Sequence, residues 1–256
     1  MFIELNNVTK KYAHNGTGVT AVKSVSLDIE RGEFISLLGP SGCGKSTLIN
    51  LIGGFETATE GGVYINGIPV SEPSPRYVTI FQNYGLLPWR TVEKNIQLGL
   101  EMKKMGRKQM KGVVDRYVEM VGLNNFRKYH PHQLSGGMQQ RVAIARTLAV
   151  DPEIIFMDEP FGSLDALTRM NMQEVLAELW ELQKKTIIFI THDLEEAVYF
   201  SDRIVIMTPN PGTIKTVIPV PLSRKRDRTG ADFLMIRERV FNEFETKKED
   251  KTEYYL

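Results

Sequence analysis

Residues Gly39-Pro40-Ser41-Gly42-Cys43-Gly44-Lys45-Ser46-Thr47 constrain this chain more than any other stretch. They follow an apolar run, Phe34-Ile35-Ser36-Leu37-Leu38, and lead into a helix-compatible run, Thr47-Leu48-Ile49-Asn50-Leu51-Ile52. Strand, glycine-rich turn and helix start are the setting in which G-x-x-x-x-G-K-[ST] spacing makes a phosphate loop. The glycines let backbone N–H groups point inward at an anion, and the helix N-terminus adds the positive end of its dipole. The pattern predicts binding of a nucleoside triphosphate. Lys45 is expected to reach the β- and γ-phosphates and Ser46 to ligate Mg2+. Cys43 sits at a free position of the loop and is read as a small space-filler.

The rest of the composition narrows the class. A chain of 256 residues has room for one large domain or two small ones. With 42% hydrophobic and 25% charged residues it reads as ordinary globular protein. A net charge of +1 supplies no global field toward nucleic acid or anionic lipid. The single cysteine excludes an internal disulfide and fits a reducing compartment. The opening Met1-Phe2-Ile3-Glu4-Leu5 carries an early acid and does not resemble a signal peptide. No apolar run is long enough to span a bilayer, so any service to a membrane is expected to go through another chain.

The first third reads as strands. Phe2-Ile3-Glu4-Leu5 and Ser24-Val25-Ser26-Leu27-Asp28-Ile29 alternate apolar and polar residues, with turn chemistry at 13–19 between them. Gly61-Gly62 opens a hairpin through Val63-Tyr64-Ile65 that turns at Asn66-Gly67. Residues 77–81 read as a buried strand. From about Thr91 to Val150 the pattern turns helical. Met110, Val113, Val114, Tyr117 and Val121 mark one stripe, and Met138, Val142, Ala145 and Ala149 mark another. Asp151-Pro152 ends that stretch. Residues 154–157, 186–190 and 203–207 are short apolar runs, the signature of parallel strands covered on both faces. Helices separate them, one with its stripe at Met172, Val175, Leu176 and Leu179. Beyond them, Arg224-Lys225-Arg226-Asp227-Arg228 reads as a solvated basic turn. Phe233, Ile236, Val240 and Phe244 predict an amphipathic helix, and the charged stretch 246–252 is expected to fray. The expected fold is α/β: a phosphate-loop NTPase core of mostly parallel sheet flanked by helices, an N-terminal antiparallel β layer and an inserted helical subdomain.

Two further stretches carry chemistry. The strand at 154–157 ends in Asp158-Glu159. An acid at the C-terminal end of a strand downstream of a phosphate loop holds Mg2+, a role that fits Asp158. Glu159, one residue further toward the phosphates, is the natural general base for an attacking water. Leu134-Ser135-Gly136-Gly137-Met138-Gln139-Gln140-Arg141 leads straight into a helix. Ser135 can cap it, and Gly136 and Gly137 open the backbone to an anion at the helix N-terminus. That is a second phosphate-binding device in one chain.

These stretches, with Gln82 and His192, stand in the order and spacing of an ATP-binding-cassette (ABC) ATPase, which the chain resembles over roughly residues 2–222. The Ser135–Arg141 stretch is similar to that family's signature motif. Leu86-Leu87-Pro88-Trp89-Arg90-Thr91-Val92 and residues 159–169 resemble the nitrate/sulfonate/taurine branch of importer ATPases. The resemblance implies ATP and Mg2+ as ligands. It implies that Tyr12 stacks on adenine with Val22 beside it, and that Gln82 is the Q-loop glutamine touching Mg2+ and water. It further implies that His192 is the switch histidine at the γ-phosphate and that Asp165 is the D-loop aspartate. Ser135, Gly136, Gly137 and Gln139 would close over the γ-phosphate held by a second copy, so that a head-to-tail pair makes two complete sites. Gly162-Ser163-Leu164-Asp165 departs from the common Ser-Ala-Leu-Asp, which leaves backbone flexibility there open. His14, His130 and His132 match no functional position and are read as surface residues.

The implied domain is a nucleotide-binding cassette over 2–235, with a helical subdomain at about 84–150, followed by a C-terminal helix and charged tail over 236–256. The implied partners are a second copy, transmembrane permease subunits and, indirectly, an extracytoplasmic solute-binding protein, with no nucleic acid. The implied location is peripheral, on the cytoplasmic face of the cell membrane. Gly85-Leu86-Leu87-Pro88-Trp89 is either a docking groove for the permease or a satellite core. The competing reading is a soluble cassette ATPase not coupled to transport; that class usually has a coiled coil, zinc-binding cysteines or a second cassette. A phosphate-loop kinase would leave residues 134–141 unexplained.

Overall fold

The computed structural model describes residues 1–14, 17–81, 84–162 and 164–245. The chain divides into two compact units, Met1–Ser74 with Ile188–Leu256, and Pro75–Ile187. Unit one opens with strands β1 (Ile3–His14), β2 (Thr17–Ile29) and β3 (Phe34–Leu38), helix α1 (Lys45–Gly53), and strands β4 (Glu60–Ile65) and β5 (Ile68–Pro69). Unit two holds β6 (Tyr77–Ile80), helices α2 (Val92–Met102), α3 (Arg107–Met120) and α4 (Gly136–Ala149), then β7 (Ile154–Asp158) and α5 (Ala166–Gln183). The division falls within β8 (Thr186–Thr191). The chain then returns to unit one through α6 (Leu194–Phe200), β9 (Arg203–Thr208), β10 (Thr213–Pro219) and α7 (Ala231–Glu245).

Unit one carries an antiparallel sheet in the order β2-β1-β4-β5 and a second run of strands ordered β10-β9-β3-β8. β3 and β9 are parallel, β9 and β10 antiparallel. β3 is buried at all five positions, as a strand covered on both faces must be. The β4–β5 hairpin turns at Asn66-Gly67 as expected, both residues at positive φ (53° and 72°), the requirement of a two-residue type I′ turn. In unit two β6 and β7 pair in parallel. α4 is buried almost all round, from Gln140 through Ala149, rather than along one stripe.

Four readings of the sequence change. The turn expected at 13–19 is mostly strand: Tyr12 pairs with Val19, Ala13 with Gly18 and His14 with Thr17. Ladder pairing overrides the turn propensity of Gly18 and Thr17. Residues 77–81 are not a buried strand, because β6 ends the strand order, only Ile80 is buried and Phe81 is exposed. β10 was not foreseen; its residues are only half-buried and lack a clean alternation.

The fourth change is the basic turn. Arg226 is buried, and its guanidinium donates to the carbonyl oxygens of Val198, Tyr199, Ser201, Val220 and Leu222. Arg224 donates to Phe200 O and pairs with Asp202. The C-terminus of α6 leaves carbonyls without intrahelical partners, and two cations satisfy them. Burial pushes the Arg226 pKa down to about 10, so the group stays charged at neutral pH. α7 seals the other side of this corner: Phe233, Ile236 and Val240 pack with Ala197, Val198, Ile204 and Ile218. The stretch 246–252, read as fraying, lies outside the described residues.

Arg226→Met should therefore lower the free energy of unfolding by about 3 kcal/mol or more, since it leaves several buried carbonyls unpaired. Lys225→Met, at an exposed neighbour, should change it by less than about 0.5 kcal/mol. Urea denaturation of the two variants measures the difference; equal stabilities would contradict the buried clamp.

Candidate functional site

In unit one the phosphate loop is built from close backbone approaches. A Cβ on Gly39 would lie 2.5 Å from Cys43 Sγ and 2.9 Å from Met207 O. Cys43 is wholly buried beneath the loop, the space-filling part expected of it. Gly44 adopts φ 90°, and a Cβ there would meet Val22 Cγ1 at 2.5 Å and Ala21 O at 2.9 Å. Gly212 braces the same corner from β9–β10. Its N–H donates to Ala21 O and its carbonyl accepts from Lys23 N–H. A Cβ at Gly212 would lie 2.3 Å from Cys43 O. Sequence reasoning missed Gly212, although Pro211-Gly212 is a turn dipeptide that could have flagged it.

α1 starts directly on this loop. Its N-cap, Gly44, offers no side-chain cap, and its first turn holds no acid. α2, α4, α5 and α6 are instead capped by Thr91, Ser135, Asp165 and Asp193. The start of α1 therefore keeps the positive end of its dipole for an anion. Pro40, Ser41, Gly42 and Ser46 are exposed on the rim and Thr47 is half-buried. Lys45 is buried, its ammonium donating to Gly39 O at 2.6 Å and Pro40 O at 3.1 Å. The charge is thus held over the loop.

Val22 is fully buried under Gly44, where it supports the loop. Tyr12 is half-buried on β1 with Lys10 Nζ 5.0 Å from its ring centroid. His192 is exposed at the end of β8 between two anchored neighbours. Thr191 Oγ1 donates to the buried Glu196 carboxylate at 2.6 Å and accepts from Asp193 N–H. Asp193 caps α6 through the N–H groups of Glu195 and Glu196.

Unit two carries the other predicted residues. Asp158 ends β7, and Glu159 follows at φ 45°. A glutamate in the left-handed region costs on the order of 1–2 kcal/mol, so its surroundings must fix it there. Ser135 Oγ accepts from Met138 N–H and caps α4. The two signature glycines differ. Gly136 is exposed, whereas a Cβ on buried Gly137 would strike Thr168 Cγ2 at 2.5 Å. Gln139 Nε2 donates to Leu134 O. Asp165 caps α5, and its hydrogen bonds to Thr168 hold its carboxyl below the usual range. Gln82 and Ser163 lie outside the described residues.

The segment after Gln82 is firmly held. Buried Asn95 accepts from Leu87 N–H and donates to the carbonyls of Leu87, Arg90 and Thr91. Arg146 donates to Tyr84 O and Gly85 O. Trp89 is 72% exposed and belongs to no core. His130 and His132 stack on each other at 5.8 Å, half-buried and exposed respectively, while the His14 side chain lies outside the description.

Residues 22–162 match the ABC transporter family. The chain belongs to the ABC transporter family. The matched span contains the phosphate loop, the Ser135–Arg141 stretch and Asp158-Glu159; Tyr12, Asp165 and His192 lie beyond it. Within this family, the chain is 44% identical to the aliphatic sulfonates import ATP-binding protein SsuB of Bacillus thuringiensis, over 96% of both chains. It is 44% identical to the nitrate import ATP-binding protein NrtD of Synechococcus elongatus, over 89% of this chain and 84% of that one. The dimeric structure of an ATP-binding cassette in a post-hydrolysis state, bound to ADP and phosphate, matches with a TM-score of 0.74 and 36% identity. That match covers 86% of this chain and all of the other.

The loop geometry makes a graded prediction for this ABC transporter chain. Gly44→Ala adds a forced contact to the left-handed penalty and should cost about 2 kcal/mol or more, with a matching loss of nucleotide affinity. Gly42→Ala meets open space and should cost only the conformational part, about 1 kcal/mol. Denaturation and equilibrium nucleotide titration check the order; a reversed order would contradict the packing described.

Proposed function

We propose that this chain is the ATP-binding and ATP-hydrolysing subunit of a membrane importer for a small anion of the sulfonate or nitrate kind. One observation carries the reading. A member of the ABC transporter family pairs an uncapped phosphate-loop helix with a second, glycine-opened helix N-terminus at Ser135-Gly136. The import relatives support the branch, and the dimeric ADP-bound cassette supports a second copy as partner.

In this reading residues 39–47 cradle the triphosphate and Lys45 meets its β- and γ-phosphates. Ser46, Gln82 and Asp158 would hold Mg2+, because hydroxyl, amide and carboxylate oxygens are the hard donors it prefers. Mg2+ leans on substrate phosphates and water, so a carboxylate cage is not required. Among the described residues no group of three or more His, Cys, Asp or Glu forms one. Bound Mg2+ supplies charge neutralisation at the phosphate oxygens. Glu159 takes the proton of the attacking water, and His192 contacts the γ-phosphate. Tyr12 stacks on adenine with Val22 supporting from below.

Ser135, Gly136, Gly137 and Gln139 close over the nucleotide of the second copy, and Asp165 crosses between the copies. The cassette spans 2–235 with its helical subdomain at 84–150. Among the described residues no helix is long and apolar enough to cross a membrane. In this reading, which the import relatives support, the subunit works from the cytoplasmic face through a permease seated on the Leu87–Trp89 segment, and through it with a solute-binding protein. The exposure of Trp89 supports docking over a satellite core.

Glu159→Gln should keep MgATP binding and lose about 10²–10⁴-fold in hydrolysis, whereas Lys45→Ala should weaken binding itself. Steady-state hydrolysis beside equilibrium titration separates the two, and near-normal turnover by Glu159→Gln would contradict the base assignment. Trp89→Glu should leave the melting temperature of the isolated subunit unchanged. It should weaken permease capture by about 2 kcal/mol or more. A stable Trp89→Glu subunit that still co-purifies with its permease would contradict the docking surface.

A further inference from the structure

We propose that Gln140 is a positioning residue that ties the helix bearing the signature stretch to the turn bearing Glu159. This rests on the hydrolytic reading above. Gln140 is wholly buried on α4, five residues after the Ser135 cap. Its Nε2 donates to the carbonyl of Pro160 at 3.1 Å, the residue directly after Glu159. Its Oε1 is buried and has no partner among the described residues.

An orphaned buried amide oxygen costs stability, and a methionine of similar volume would avoid that cost. The side chain is accounted for by the one bond it makes. That bond acts where the backbone most needs support. Glu159 holds φ 45°, Pro160 restricts the residue before it, and Gly162 N–H donates to Glu159 O at 3.2 Å. Gln140 fixes the next peptide from outside the turn. α4 is a firm anchor for it, since Val142, Ala143, Ile144 and Ala145 are all buried. The tether fixes where the Glu159 carboxylate points relative to the helix that begins at Ser135. Misplacing a catalytic group by about 1 Å is enough to cost on the order of 100-fold in rate.

The test uses the full chain and two variants. Gln140→Met removes both the tether and the orphaned oxygen. It should fold with equal or higher melting temperature, bind ATP with unchanged affinity, and lose about tenfold or more in kcat. Gln140→Glu keeps the shape. Burial raises a carboxyl's pKa, and only the protonated acid can donate to Pro160 O. Its hydrolysis should therefore fall as pH rises through neutrality while that of the wild type does not. Wild-type kcat in Gln140→Met, or equal losses of ATP affinity and kcat, would overturn the proposal. Should Gln140→Met fail to fold, a pH profile of Gln140→Glu matching the wild type overturns it. Absence of hydrolysis in the wild type would instead refute the hydrolytic reading.

Discussion

The closeness of four backbone segments holds this chain's chemistry in place. Gly39 lies against Met207, Gly44 against Ala21 and Val22, and Gly212 against Cys43 and Ala21, each with no room for a Cβ. Such contacts are available only to glycine, and they fix the start of α1 relative to β3, β2 and the β9–β10 turn. A helix start fixed in this way, without a side-chain cap, has the geometry that favours an anion. Val22 and Cys43, both fully buried, are the apolar floor on which that loop rests.

Four other helices, α2, α4, α5 and α6, begin on side-chain caps, while α3 begins on Gly106 without one. α6 is held at both ends: Asp193 caps its N-terminus next to His192, and Arg224 and Arg226 satisfy its last carbonyls. A seven-residue helix is too short to be stable alone, so these end contacts and the apolar packing of α7 supply what length does not. In unit two the strained backbone at Glu159, which the following proline does not favour, is met by a turn hydrogen bond and a buried amide. The costs are local and the supports come from distant parts of the sequence.

That separation explains what could be read from the sequence. Local patterns were legible: the phosphate loop between an apolar strand and a helix, the Asn66-Gly67 hairpin, the runs that became β7, β8 and β9, and the Ser135 cap. Features whose partners lie far along the chain were not. Arg226 reads as a charge in a solvated run because the carbonyls that bury it begin 28 residues earlier. Gln140 bonds across 20 residues, and Gly212 meets the loop at Cys43. The turn read across 13–19 is narrower for a related reason, since pairing across β1 and β2 reaches His14 and Thr17 and outweighs the local preference of glycine and threonine there. Residues 15 and 16 lie outside the described residues.

The central claim is that one chain's two anion-binding devices serve two different nucleotides. Mixing two inactive chains tests it most directly. Lys45→Ala lacks a working phosphate loop and Ser135→Arg blocks the signature stretch. A mixed pair would unite the intact phosphate loop of the second with the intact Ser135 of the first. The account predicts that equimolar mixing restores ATP hydrolysis well above that of either chain alone. A mixture no more active than its components would contradict it.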